Sequence, residues 1–183
     1  VEGKILDVGA GSGCHTLALR KMGKEALAIC ISPWSVKVME ARGLTARQVN
    51  LFDERFTERF DTILMLMNGS GIIGRLERMG DFFRRIRQLL NPGGQILMDS
   101  SDLRYLFEDE DGSYLVNLAG NYYGEIDFRM QYKQVKGDSF DWLYVDFDTL
   151  SAYAAQCGFR AECIQEGGHY DYLARLTVTD EAL

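Results

Sequence analysis

Three glycines at alternate positions, Gly9, Gly11 and Gly13, follow an acid, Asp7, at the end of a short apolar run of Ile5, Leu6 and Val8. Residues of these types at this spacing offer recognition by main chain. Glycine has no Cβ, so a ligand can lie directly on the backbone and positive φ is open to it. Cys14 to Met22 then shows a helical pattern that stops at Gly23. A strand, a glycine turn and a helix N-terminus in that order present unpaired backbone N–H groups to a ligand. A dinucleotide fingerprint wants glycine at the first, third and sixth places. Counted from Gly9, the sixth place holds Cys14, and Gly13 comes one place early.

Other chemistry-bearing residues fall where apolar runs end. Asn68-Gly69-Ser70-Gly71 closes the run from Thr62 to Met67, and Asp99, Ser100 and Asp102 close the run that begins at Gln95. His169 and Tyr170 lie between two strand patterns near the end of the chain. Ligands of open α/β sheets bind beyond the carboxyl ends of the strands, and Asn68, Asp99, Ser100 and Asp102 collect at that edge. His169 is the first candidate for a general base, because histidine exchanges protons near neutral pH, and Asp102 is the second. His15 reads as a residue of the first helical turn. The four cysteines show no Cys-x-x-Cys spacing and only two histidines accompany them, so no metal site is expected. Reduced thiols in a cytoplasmic protein are the expectation.

The Asp-x-Gly-x-Gly-x-Gly turn, between an apolar strand and a helix, resembles motif I of the class I S-adenosylmethionine-dependent methyltransferases. Leu90-Asn91-Pro92-Gly93-Gly94, a helix stop and tight reversal before a strand, is a second resemblance to that family. The resemblance implies S-adenosylmethionine as cofactor and adenosylhomocysteine as product. In that family the glycine turn, here Gly9, Ala10, Gly11 and Gly13, passes under the amino-acid part of the cofactor, and the acid, here Asp7, helps hold its ammonium. The acid that binds the ribose hydroxyls corresponds to Cys30, a departure, and the residue packed on adenine to Ile31. A thiol cannot replace a bidentate carboxylate, which costs roughly 1.5–3 kcal/mol, or about one to two decades of affinity. Ser32 or a water would compensate in part. Asn50, with Asp53 as the alternative, corresponds to the partner of the adenine amino group, and the Leu51 backbone to that of a ring nitrogen. Met67 and Asn68 stand where motif IV lies, beside the reactive methyl. Asn-Pro-Pro-Tyr, the mark of methylation at a planar amide or base nitrogen, is absent.

The elements that must position these residues alternate strand and helix. The expected fold is α/β: a Rossmann-like, doubly wound, mostly parallel seven-stranded sheet with an antiparallel last strand, plus a β-hairpin insertion. Strands are expected at Ala26–Ile31, at 47–51, through Met67 and at Gln95–Asp99. Ser32-Pro33 starts the second helix, and apolar residues at helical spacing from Arg75 to Leu90 predict another, on which Arg84, Arg85 and Arg87 form a solvated face. Residues 102–145, acidic and tyrosine-rich (Glu110 and Tyr114 among them), depart from the alternation. They read as an insertion building acceptor specificity or as an edge hairpin that extends the sheet, with its turn at Lys136-Gly137-Asp138. Asp146 or Asp148 caps a further helix ending at Gly158. Gly167-Gly168 makes the connection of the last two strands tight, so they are antiparallel neighbours, and the resemblance implies that the last inserts between the fifth and sixth.

At 183 residues a single domain is expected. The chain begins without methionine almost on its first strand, whereas family members carry helices before it, so the N-terminal lid helices are expected to be missing here. A net charge of −7 speaks against a nucleic-acid partner, and no apolar stretch suits a membrane span. A small-molecule acceptor is the expectation; the oligomeric state is unknown. Three readings stand: an active methyltransferase, a cofactor-binding domain weakened by Cys30, and an NAD-dependent oxidoreductase, which the missing third glycine argues against.

Overall fold

The computed structural model describes residues 1–109, 111, 113 and 120–179. Glu110 and Tyr114 lie outside the described residues. In chain order the elements are β1 (Ile5–Val8), α1 (Cys14–Lys21), β2 (Ala26–Cys30), α2 (Pro33–Ala41), β3 (Ala46–Gln48), β4 (Phe60–Met65), α3 (Met79–Leu89), β5 (Leu90–Ser101), β6 (Glu125–Tyr132), β7 (Val135–Leu143), α4 (Phe147–Gln156), β8 (Phe159–Glu166) and β9 (Asp171–Val178). Seven strands form one sheet in the order β3-β2-β1-β4-β5-β9-β8. The first five are parallel, and β9 runs antiparallel to both of its neighbours, as expected.

Burial on both faces explains the unbroken apolar runs of the central strands. Leu6, Val8, Ile63 and Met65 face one core with Phe82, Phe83 and Ile86 of α3. Ile5 and Leu64 face Leu19 of α1 on the other side, while Ala28 meets Val36 and Met39 of α2. The ring of Phe83 tilts against Phe159 at 5.0 Å. Local chemistry sets the helix starts. Ser32 caps α2 through its hydroxyl, which accepts from the Ser35 N–H at 3.3 Å, with Pro33 in the first turn. Asp146, rather than Asp148, caps α4 and accepts from the Thr149 N–H at 2.9 Å.

Several boundaries differ from expectation. The third strand stops at Gln48, so Val49, Asn50 and Leu51 lie beyond it. The helical pattern from Arg75 resolves into a 3₁₀ turn (Leu76–Arg78) and then α3. The hairpin β6–β7 forms a separate two-stranded sheet, so it does not extend the main one. It turns at residues 133–134, with Lys133 at φ 53°, and Lys136, Gly137 and Asp138 belong to β7.

Arg85 is the largest departure. Arg84 and Arg87 are exposed, but Arg85 is only 6 % exposed and turns beneath the loop after β3. Its guanidinium donates to the carbonyls of Leu51 (2.7 Å), Asp53 (2.8 Å) and Phe56. One planar fork thus satisfies three loop carbonyls. Replacing Arg85 by methionine is expected to lower the unfolding free energy by about 2–3 kcal/mol in urea titration. The same change at Arg84 should cost no more than about 0.5 kcal/mol.

Candidate functional site

The sheet order reverses direction between β1 and β4, and a crevice opens there. Gly9 and Ala10 both donate to the Ile29 carbonyl, at 2.9 and 3.2 Å, which ties the glycine turn to β2. The Gly13 N–H donates to the Ala10 carbonyl at 2.7 Å. Among the described residues, the N–H groups of Gly11 and Ser12, and of Cys14 and His15 opening α1, are left outside the protein's own bonding. Gly11 has φ +55°, and a Cβ built on it would meet nothing nearer than 4.0 Å, so space is open beside its backbone. Gly13 serves packing instead: a Cβ there would lie 2.6 Å from Leu44 and 2.9 Å from Met39.

Asp7 lies beneath this turn, 1 % exposed. Its Oδ2 accepts from the Thr16 N–H at 3.1 Å and from the Thr16 hydroxyl at 2.6 Å. Through these bonds Asp7 pins the start of α1 to the end of β1. Burial pushes its carboxyl above the ordinary range, and the bonds from Thr16 only partly offset that.

Six of the predicted residues do converge. Cys30, Ile31, Asn50 and Leu51 wall an apolar cavity of about 490 Å³ that reaches Gly9 and Met67. Ile31 is 69 % exposed, so its side chain is available to a flat ring. The Asn50 carbonyl oxygen accepts from the Phe52 N–H at 2.9 Å, so its side chain shapes the loop as well as facing the cavity. The Ser32 hydroxyl oxygen caps α2 by accepting from the Ser35 N–H, and among the described residues its O–H remains a free donor. The alternative acid, Asp53, sits outside the cavity walls. Its carboxylate is gripped by Arg55, which lowers its pKa to about 2.

Met67 and Asn68 occupy left-handed backbone conformations, with φ 68° and 57°. Such backbone in a methionine is uncommon and must be held. Asp99 holds it: one carboxylate oxygen accepts from the Met67 N–H at 3.2 Å and the other from the Gly69 N–H at 3.0 Å. Met67 is thereby turned out, 76 % exposed, between the large cavity and a smaller hollow that includes His15 and Asp99. Asn68 accepts from the Ser101 hydroxyl at 2.8 Å and faces a third hollow, which also contains His169. Asp102 is not brought to either. Its oxygens accept from Arg104 and from the Tyr123 hydroxyl, and it lines a different hollow beside α4. Among the described residues, no cluster of histidine, cysteine and acidic side chains is placed to hold a metal ion.

A family model described as a methyltransferase domain matches residues 1–164. The chain belongs to this methyltransferase family. A crystal structure of a methyltransferase from Bacteroides fragilis, in complex with S-adenosyl-L-homocysteine, superposes with TM-score 0.91 at 73 % identity, covering 97 % of this chain and 73 % of that one. A protein from Pyrococcus horikoshii at 18 % identity shares the fold, with TM-score 0.71 over 98 % of this chain and 83 % of that one. A curated relative, the cypemycin N-terminal methyltransferase of a Streptomyces species, is 28 % identical over 102 residues. That match spans 54 % of this chain and 42 % of the relative, less than half its length.

Sequence reasoning offered the hairpin as a shaper of the site but did not single out which of its residues wall the large cavity. Phe140 and Trp142 of β7 wall the large cavity, and the Trp142 indole lies so close over Gly71 that a Cβ there would come within 1.8 Å of it. Alternation of Phe140, Trp142 and Tyr144 was the available signal. Arg78, whose guanidinium stacks 4.3 Å over the Phe52 ring, was hidden in the helical pattern.

Because burial holds the Asp7 pKa up, the folded state keeps its proton to higher pH than the unfolded chain, so its contribution to stability falls as pH rises through that window. Asp7→Asn keeps an oxygen for Thr16 without the buried charge. In thermal melts the variant is expected to match wild type near pH 4, to gain on it as pH rises, and to level off once Asp7 is ionised in the folded protein.

Proposed function

We propose that this chain transfers a methyl group from S-adenosylmethionine to a small-molecule acceptor, with adenosylhomocysteine as the product. The observation that carries the reading is the glycine turn with unpaired N–H groups opening beside an apolar cavity at the point where the sheet order reverses. The residues fit the cofactor. The apolar walls suit adenine between Ile31 and the backbone of Asn50 and Leu51, with Cys30 at the ribose. The N–H groups of Gly11 and Ser12 suit the carboxylate of the amino-acid tail. Gly9, Ala10 and Gly13 shape the turn, with Asp7 and Ser32 positioning α1 and α2. Met67 and Asn68 flank the sulfur.

When bound, the cofactor supplies a methyl on a cationic sulfur: the acceptor's lone pair forms the new bond to carbon while the carbon–sulfur pair stays on sulfur. The protein's own part is positioning, exclusion of water and removal of any proton the acceptor carries. His169, in the hollow that also contains Asn68, is assigned the proton. Asp102 stays a second candidate only if Arg104 releases it. Four unpaired cysteines fit a reducing, cytoplasmic compartment. Among the described residues, no helix is long and apolar enough to cross a membrane.

Titration calorimetry separates this reading from the oxidoreductase. Adenosylhomocysteine is expected to bind and NAD to give no heat; the reverse overturns the proposal. Cys30→Asp restores a ribose-binding carboxylate and is expected to tighten adenosylhomocysteine by about ten- to a hundredfold. Unchanged or weaker binding counts against the ribose assignment.

A further inference from the structure

The hairpin β6–β7 lies across the carboxyl edge of the main sheet with one face inward. Ile126 pairs with Trp142 and Phe128 with Phe140, so these four side chains share a face of the two-stranded sheet. They do not share a cavity. The β7 pair closes the large cavity assigned to the cofactor, and the β6 pair roofs the separate hollow of about 410 Å³ next to it. On the opposite face, Arg75 ties the hairpin to the body of the protein through Glu125, Asp127 and Asp141. One rigid element therefore forms the cover of two adjoining compartments.

The second compartment has a definite chemistry. Leu103, Tyr105, Ile126, Phe128 and Tyr144 supply apolar and aromatic walls. Phe128 lies 6.4 Å from Tyr144, and Tyr105 stacks on Tyr170 at 5.0 Å, close to parallel. Polar groups come from Asn68, Ser101 and His169. Ser101 donates to the Asn68 carbonyl oxygen, which leaves the Asn68 amide N–H₂ as a donor for a ligand. The volume and the few polar groups among apolar walls suit a small molecule. Flat rings on the walls suit a flat ligand.

We infer that this hollow is the acceptor site and that it takes a planar aromatic molecule carrying a hydroxyl or amine, set at Asn68, Ser101 and His169. The inference rests on the proposed methyl transfer and deepens it. The methyl passes to the ligand oxygen or nitrogen, the carbon–sulfur electron pair remains on sulfur, and the acceptor's proton moves to the His169 imidazole. The hairpin then decides specificity, because Ile126 and Phe128 touch the acceptor while Phe140 and Trp142 touch the cofactor.

The test uses the full chain and 2-naphthol as probe, with glucose and glycylglycine as polar comparators, in saturation-transfer NMR and calorimetry. Each titration is run with and without adenosylhomocysteine. The expected result is binding of 2-naphthol, at least tenfold weaker in Phe128→Ala and in Tyr105→Ala, with adenosylhomocysteine affinity and circular dichroism unchanged in both. Naphthol affinity that survives both substitutions overturns the inference. So does equal binding of glucose, or selective binding of glycylglycine, which would mark a peptide terminus as the acceptor. Failure of adenosylhomocysteine to bind at all contradicts the functional reading instead, while the naphthol titration still judges the hollow.

Discussion

The bond pair between the Asp7 carboxylate and Thr16 is the interaction on which the rest of the site depends. It joins the last turn of β1 to the first turn of α1, and the glycine turn is the chain caught between those two fixed points. The Ile29 carbonyl holds the same turn sideways through Gly9 and Ala10. With its two ends and one flank fixed, the turn keeps Gly11 in a left-handed conformation and leaves the Gly11 and Ser12 N–H groups without a protein partner among the described residues. The cost is a carboxylate in an apolar setting, visible in its raised pKa.

A second carboxylate repeats the device one strand over. Asp99, near the end of β5, holds the backbone of Met67 and Gly69 after β4, where two successive residues have positive φ. The loops after β1 and β4 are therefore both shaped by buried or half-buried acids acting on backbone N–H groups, and they face each other at the reversal of sheet order. The third wall, from β2 and the segment after β3, depends on Arg85 reaching up from α3 to three carbonyls. Rigid backbone held from below, rather than reactive side chains, is what the fold supplies to the site. That suits a reaction in which alignment does most of the work.

The parts legible from sequence were those encoded by neighbours in the chain. Ser32-Pro33 specifies the start of α2 within three residues, and Gly9-Ala10-Gly11 announces a turn without reference to the rest of the molecule. The antiparallel pairing of the last two strands followed from their short connection at Gly167-Gly168, whereas the place of the last strand between the fifth and sixth came from the family resemblance. What could not be read was set by contacts distant in sequence. Arg85 looks like its solvated neighbours Arg84 and Arg87, because nothing local records the carbonyls it meets about thirty residues away. The hairpin turn was misplaced because Lys136-Gly137-Asp138 is favourable turn chemistry, whereas the pairing of Tyr132 with Val135 forces Lys133 into the left-handed region. The contacts by which Asp7, Gly13 and Ser32 fasten elements together are likewise matters of packing.

The most direct measurement is a crystal of this chain soaked with adenosylhomocysteine. The account predicts density for the amino-acid tail against the N–H groups of Gly11 and Ser12, adenine between Ile31 and the Asn50–Leu51 backbone, and the sulfur near Met67 and Asn68. Density in another hollow, or a crevice into which the Phe140 and Trp142 side chains close so that no ligand enters, would contradict it.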